Sequence, residues 1–383
     1  MLTSLYDRFW KQEYWFPSQY SWADMEDSNG VIYTHPKDLL AAIPLVFIIL
    51  IVRYSFERVV GLPLARLMGV HDARRIKAFH NPILESFFRS QSQNPKEAQL
   101  NDLANKCSLS LRQVQRWFRC RRNQEQPLLS KKFCEACWRF IVYSYFFFGG
   151  FLAIYNEPWL WKSKVCWEGF PKQPLKPAIY WWYLLEFGFY LSLITTLSFD
   201  VKRKDFREQI IHHFSAIILI YFSYCANYIR IGTLVMLLHD VSDVFLEAGK
   251  MFNYAQWKNS SEIVFIIFTV IFLFSRLILL PYRVLYTTIY DSMAAHKPFF
   301  GYYFSNALLF ILQALNIFWS FLILQMFFKL IIIGKIQKDV RSDIEEEDEQ
   351  SETEQQKNGS PAMSLVAFPN PKVPEGLAQT KRH

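Results

Sequence analysis

The chain has 383 residues, 52% of them apolar, and six Cys. Six Cys without regular spacing exclude a disulfide framework, while the apolar total alone would suit a large soluble protein. The distribution decides the class. Runs such as "LLAAIPLVFIILIV" and "SEIVFIIFTVIFLFSRLILL" approach or reach the roughly 20 residues that cross a bilayer core, so the sequence predicts an all-α, polytopic membrane helical bundle.

The N-terminal segment, 1–38, has no apolar core followed by a small-residue cleavage site, so no removable signal is expected. The first span, at 39–57, then acts as the anchor. Lys and Arg are denser after it (Arg53, Arg58, Arg66, Arg74, Arg75, Lys77) than before it (Arg8, Lys11, Lys37). That bias predicts an N-terminus on the non-cytosolic side and a cytosolic chain from residue 58 onward.

The formal charge of +8 is unevenly spread: residues 66–132 carry fourteen Lys and Arg against five acids. Such a block suits anionic lipid headgroups or nucleic acid. Its pattern predicts two helices in "KEAQLNDLANKCSLSLRQVQRWFRCRRNQ". Leu100, Leu103 and Ala104 share a face of the first, and Val114, Trp117 and Phe118 share a face of the second. Ser108 and Ser110 are candidate caps in the turn between them.

"VQRWFRCRRNQ" resembles a homeodomain recognition helix, so 66–128 is expected to be a truncated homeodomain-like cytosolic module. In that family an Asn three residues after the Trp pairs with adenine. Cys120 holds the position here and cannot make the bidentate contact. Specific DNA binding is therefore not expected, and the stretch before the two helices looks too short for a full first helix and arm.

Six further spans are expected within 131–332, at about 137–155, 178–198, 207–226, 230–248, 261–286 and 301–333. "CEAC" (Cys134, Cys137) is a lone CxxC without a second pair, which favours packing over redox or metal chemistry. Seven crossings place "DVKRKDF" and the acidic tail, 333–383, in the cytosol. In that tail "RSDIEEEDEQSETE" reads as solvated disorder, and Ser342 and Ser351 each have Glu three residues on, a pattern suited to an acid-directed kinase.

The fourth and fifth spans carry the chemistry-bearing side chains. His212 and His213 lie in "QIIHHFSAIILI", and "LLHDVSDVFLEAGK" sets His239, Asp240, Asp243 and Glu247 on one helix face by i, i+3 and i+4 spacing. A carboxylate at bilayer depth costs roughly 2.5 to 3.5 kcal/mol on insertion scales, so these groups must face protein or a wet cavity. The two spans are antiparallel, which brings the clusters to comparable depth in the cytosolic half.

Three readings compete for that cluster. A polar seam could join two helices by hydrogen bonds. Zinc could be ligated by three His and two Asp, but adjacent histidines diverge by about 100° on a helix and suit one ion poorly, so no metal and no cofactor are expected. Acid, base or nucleophilic catalysis fits best: an imidazole takes a proton from an amine or attacks an activated acyl group. Asp240 or Asp243 would then hold the imidazole tautomer.

The run from "DVKRKDFREQIIHHF" to "LLHDVSDVFLEAGKMFNY" closely resembles the Lag1 motif of the ceramide synthases, within the TLC-domain fold. "FWKQEYWFP", "WADMEDSNG" and "DVRSDIEEE" extend the resemblance over nearly the whole chain. It implies transfer of a long to very-long acyl chain from fatty acyl-CoA to the amine of sphinganine or sphingosine in the endoplasmic reticulum membrane. Acyl-CoA is then a substrate rather than a cofactor.

The family's essential His pair falls on His212 and His213, and its acidic positions fall on Asp240 and Asp243. His239 and Glu247 would support them. Acyl-imidazole and general-base routes both stay open, and a TLC-type lipid sensor or transporter without turnover is the alternative. Lys202, Arg203, Lys204 and Arg207 at the cytosolic mouth could attract the acyl-CoA phosphates. Acyl length is thought to be selected in this family through the segment between the last two spans, here Thr287–Phe300. Homodimers or heterodimers with other members are compatible with the resemblance.

Overall fold

The computed structural model describes residues 7–333, except 29, 73–74, 198, 202–203 and 295–296. Within them an isolated bridge between Ser28 and Val31 is the only extended pairing, and the fold is all-α. The long helices and those of the intervening module are α1 Ala42–Phe56, α2 Pro82–Ser90, α3 Glu97–Cys107, α4 Leu111–Glu125, α5 Leu129–Ile154, α6 Pro177–Thr196, α7 Phe206–Cys225, α8 Ile229–Tyr254, α9 Lys258–Phe272 and α10 Phe300–Ile333. Ser342 and Ser351 lie outside the described residues, as do Lys202 and Arg203.

Among the described residues, four helical stretches are long and apolar enough to cross a membrane: 36–67, 111–154, 258–291 and 300–332. In the second of these, Pro127 separates α4 from α5. The helices α6, α7 and α8 fall short because Trp, Tyr, His, Asp and Glu interrupt their apolar residues. These are also enclosed helices: α6 buries Tyr183, Glu186 and Phe189, and α8 buries Leu234, His239, Asp240 and Glu247. α1, by contrast, exposes Phe47, Ile48, Ile51 and Val52, the surface a lipid-facing helix requires.

α8 packs along α5 on one side and α9 on the other, while α6 lies against α1 and α7, and α7 against α10. Two glycines permit the tightest of these approaches. A Cβ on Gly150 of α5 would sit 2.2 Å from the Trp182 ring, and one on Gly232 of α8 would sit 1.8 Å from the Tyr183 hydroxyl. Small residues at helix contacts are the usual solution where lipid gives no hydrophobic drive to association.

At the end of the bundle where α5 begins and α6 finishes, charges close the structure. Arg53 Nη2 is 2.7 Å from Asp200 Oδ1, Arg53 Nε donates to Glu57 at 2.8 Å, and Arg139 Nη2 donates to the same Asp200 at 2.9 Å. Cys134 and Cys137 are both buried free thiols nearby; Cys137 packs with Ala65, Val70 and Phe133. At the other end Asn227 donates to the carbonyls of Pro171 and Gln173 at 2.6 and 2.9 Å, fixing the connection before α6.

The module differs from the two-helix expectation. A third helix, α2, precedes the other two: Pro82 at its first position follows Asn81, whose side chain accepts from the Ile83 and Leu84 amides. Leu84 and Phe88 of α2 complete a core with Leu103, Ala104, Val114, Trp117 and Phe118. The pattern was hard to see because α2 spans only nine residues. Ser110 caps α4 in a capping box with Gln113, while Ser108 adopts the left-handed conformation that ends α3.

Candidate active site

α7 begins beside α10 through Asp205. Its Oδ2 accepts from Trp319 Nε1 at 3.0 Å, and its Oδ1 accepts from Gln209 Nε2 at 3.0 Å. The indole so held lies 5.4 Å from the His212 ring, centroid to centroid. His212 is six residues into α7, or about 9 Å along it.

Adjacent positions on a helix diverge, and the two imidazoles accordingly meet different neighbours. The His212 ring is 6.1 Å from that of His239 on α8 with 30° between planes, whereas His213 packs edgewise on Tyr190 of α6 at 6.0 Å. The two rings are 5.7 Å apart. His239 Nδ1 lies 2.7 Å from the Val235 carbonyl, so it carries the proton and leaves Nε2 as the acceptor.

The carboxylates expected to pair with a histidine are engaged elsewhere. Asp240 lies buried beside Glu186 of α6, whose Oε1 accepts from Trp182 Nε1 at 3.3 Å. Asp243 Oδ1 accepts from Arg276 Nη2 at 3.1 Å, and Glu247 pairs with Lys250. Lys204 and Arg207 are exposed where α7 begins.

Arg276 organises the seam. It sits in the π-helical continuation of α9, Leu273–Leu285, where the wider turn carries the guanidinium inward. It donates to the His239 carbonyl at 2.9 Å, to Ser242 Oγ at 2.9 and 3.2 Å, and to Asn316 Oδ1 of α10 at 3.1 Å, besides Asp243. One side chain thus ties α8, α9 and α10 together and neutralises a half-buried carboxylate.

Several buried polar atoms have no protein partner: Nδ1 of His212 and of His213, Nε2 of His239, Oδ2 of Asp240 and Nδ2 of Asn316. Each would cost about 1 to 3 kcal/mol in an ordinary core, so their concentration marks a place built for a polar guest. Among the described residues no group of three or more His, Cys, Asp or Glu is arranged to hold a metal ion.

Next to this seam lies a partly open apolar pocket. Val235 and Met236, one turn before His239, form part of its wall, with Ile220, Tyr228 and Leu309. Thr288, Ser292, Met293 and Phe299, all within the segment expected to measure acyl length, also line it.

Glu186, Arg276, Asn316, Trp319 and Asp205 were not singled out from the sequence. For two of them a signal existed: Glu186 stands alone in "YWWYLLEFGFYLSLITT" and Arg276 alone in "IVFIIFTVIFLFSRLILL", and a lone charge in such a run needs a buried partner. Asn316 and Trp319 carry no comparable signal.

Fold and site together define a multi-pass helical membrane protein with a buried imidazole and carboxyl site. The family model for the TLC domain matches residues 132–325, and the homeodomain model matches 74–126. The chain is 53% identical to ceramide synthase 4 of Homo sapiens over 92% of its own length and 89% of that protein. It is 48% identical to ceramide synthase 3 of Homo sapiens over 88% of each, and 39% identical to ceramide synthase 5 of Homo sapiens over 92% and 90%. The chain belongs to the ceramide synthase family.

Proposed function

We propose that the protein is a sphingosine N-acyltransferase that moves a long to very-long acyl chain from fatty acyl-CoA to the amine of sphinganine or sphingosine, releasing CoA. The reading is carried by the His212 ring, wedged between His239 and Trp319 with Nδ1 unpartnered, while His239 stands one turn of α8 from the wall of the apolar pocket. A thioester reaching His212 could extend its tail into that cavity.

His212 acts on the acyl carbon, either as nucleophile, giving an acyl-imidazole, or as the base that takes the amine proton. Its ring lies 6.1 Å from the acceptor nitrogen's own ring in His239, so the two imidazoles can serve the two substrates in turn. Asp240 with Glu186, and Asp243 with Arg276, fix α8 and set the local charge. Lys204 and Arg207, exposed at the mouth, suit the phosphates of CoA, as do Lys202 and Arg203 beside them in sequence. Enclosure by helices limits hydrolysis of the activated acyl group.

In the membrane, α6, α7 and α8 accompany the four apolar stretches to give seven crossings. The N-terminus is then luminal, the tail cytosolic and the membrane that of the endoplasmic reticulum. Membranes containing the protein should form dihydroceramide from sphinganine and acyl-CoA, and ceramide from sphingosine. His212→Ala at normal expression should abolish it, and intact-protein mass measurement with acyl-CoA alone should find an adduct only in the wild type if the route is covalent. Binding of both lipids with no product would favour a sensor or transporter and sink the enzyme reading.

A further inference from the structure

The acyltransfer reading leaves the polar head of the sphingoid base without a partner. That head carries two hydroxyls beside the amine, and at bilayer depth each hydroxyl needs a hydrogen-bond partner from the protein. The side chains already assigned to chemistry cannot supply all of these and remain free to react.

α10 holds an unused pair. Asn306, Gln313, Asn316 and Ser320 fall on its buried face with Leu309, Leu312, Trp319 and Ile323. Asn316 is fully buried, and its amide orientation is fixed because Oδ1 accepts from Arg276 Nη1 at 3.1 Å. Its Nδ2, which has two hydrogens to donate, has no protein partner, and neither has the acceptor Gln313 Oε1 one turn away. Ser320 Oγ donates to the Asn316 carbonyl at 2.7 Å, which holds the turn in place.

A free donor and a free acceptor at i and i+3 match one hydroxyl group, which accepts and donates once each. Arg276 links Asn316 to the His239 carbonyl, and Trp319, one turn beyond Asn316, touches His212. A hydroxyl bound there would place the neighbouring amine beside the imidazoles. Nearer the cavity, Asn306 adds a further unpartnered oxygen, Oδ1, on the same face.

We propose that Asn316 Nδ2 and Gln313 Oε1 bind a hydroxyl of the sphingoid base and so position its amine against His212. The assignment rests on the acyltransfer reading above.

The test uses the full-length protein in membranes, with sphinganine and with sphinganine lacking either the 1-hydroxyl or the 3-hydroxyl. Asn316→Asp keeps the acceptor for Arg276 and replaces the Nδ2 donor with a charged second oxygen, so the uncharged Gln313→Leu serves as its control. It should raise KM for sphinganine about tenfold, the scale of one lost hydrogen bond, with KM for acyl-CoA and kcat unchanged. The variant should also cease to distinguish sphinganine from one of the two deoxy bases, a preference the wild type retains. Gln313→Leu should give the same pattern without touching Arg276.

Variants that keep the wild-type preference for both hydroxyls, or lose kcat with no change in KM for the base, would overturn the assignment. A wild type that makes no ceramide would overturn the acyltransfer reading instead.

Discussion

The three-helix module and the seam between α7, α8 and α10 are both rich in polar side chains, yet they treat them in opposite ways. In the module, Arg121 reaches Glu85 at 2.8 Å and Glu125 at 2.9 Å while lying 4.8 Å over the Phe88 ring. Trp117 Nε1 finds the Phe79 carbonyl at 2.7 Å. In the seam, His212, His239, Asp240 and Asn316 each keep an atom without a partner. Pairing gives the module its order, whereas the seam bears unsatisfied groups so that something else can satisfy them.

The contrast can be broken most sharply at His212. His212→Ala should lower ceramide formation about 10²-fold or more, as measured in membranes, with the melting temperature held, as the proposed catalytic role requires. Arg276→Met should do the reverse in kind. It leaves the half-buried Asp243 without its cation and should cost about 3 kcal/mol of stability, the low end for a broken enclosed ion pair, seen as a lower melting temperature of the purified protein. Restoring part of that loss with Asp243→Asn would separate the charge from the hydrogen bonds.

Smaller effects belong to the module. Ser110→Ala removes the cap of α4 and should destabilise the module by about 1 kcal/mol, measured by denaturant unfolding of the 72–127 fragment, which has its own core. Glu85 gives a pH signature. Its Arg121 hydrogen bond holds its carboxyl at about 2, below the usual 4.5. Stabilisation is therefore complete above about 4.5 and lost as pH falls toward 2. The partly solvated pair should be worth at most about 1 kcal/mol, and Glu85→Gln should flatten that pH dependence.

Much of this was legible in the sequence because single-helix patterns carry it. The i, i+4 placement of His239, Asp243 and Glu247, the paired histidines and Ser110 as a cap candidate are all local. The arrangement across helices was not. That Asp240 turns to Glu186 and Asp243 to Arg276, rather than to a histidine, depends on how α6 and α9 rotate, and the π-helical turns around Arg276 shift that rotation in a way no fixed period records. α2 escaped for a different reason: nine residues hold barely two turns of pattern.

The place of the module in the chain also sets a schedule. α4 ends at Glu125 and α7 begins at Phe206, so at about 5 to 20 residues per second the histidines leave the ribosome roughly 4 to 16 seconds after the last module helix. A segment with its own core can be finished during that interval, on the water side, before any helix of the reactive seam has been synthesised. The later helices would then assemble beside a completed neighbour, and a mutation that slowed the module would be felt first as a defect in biogenesis.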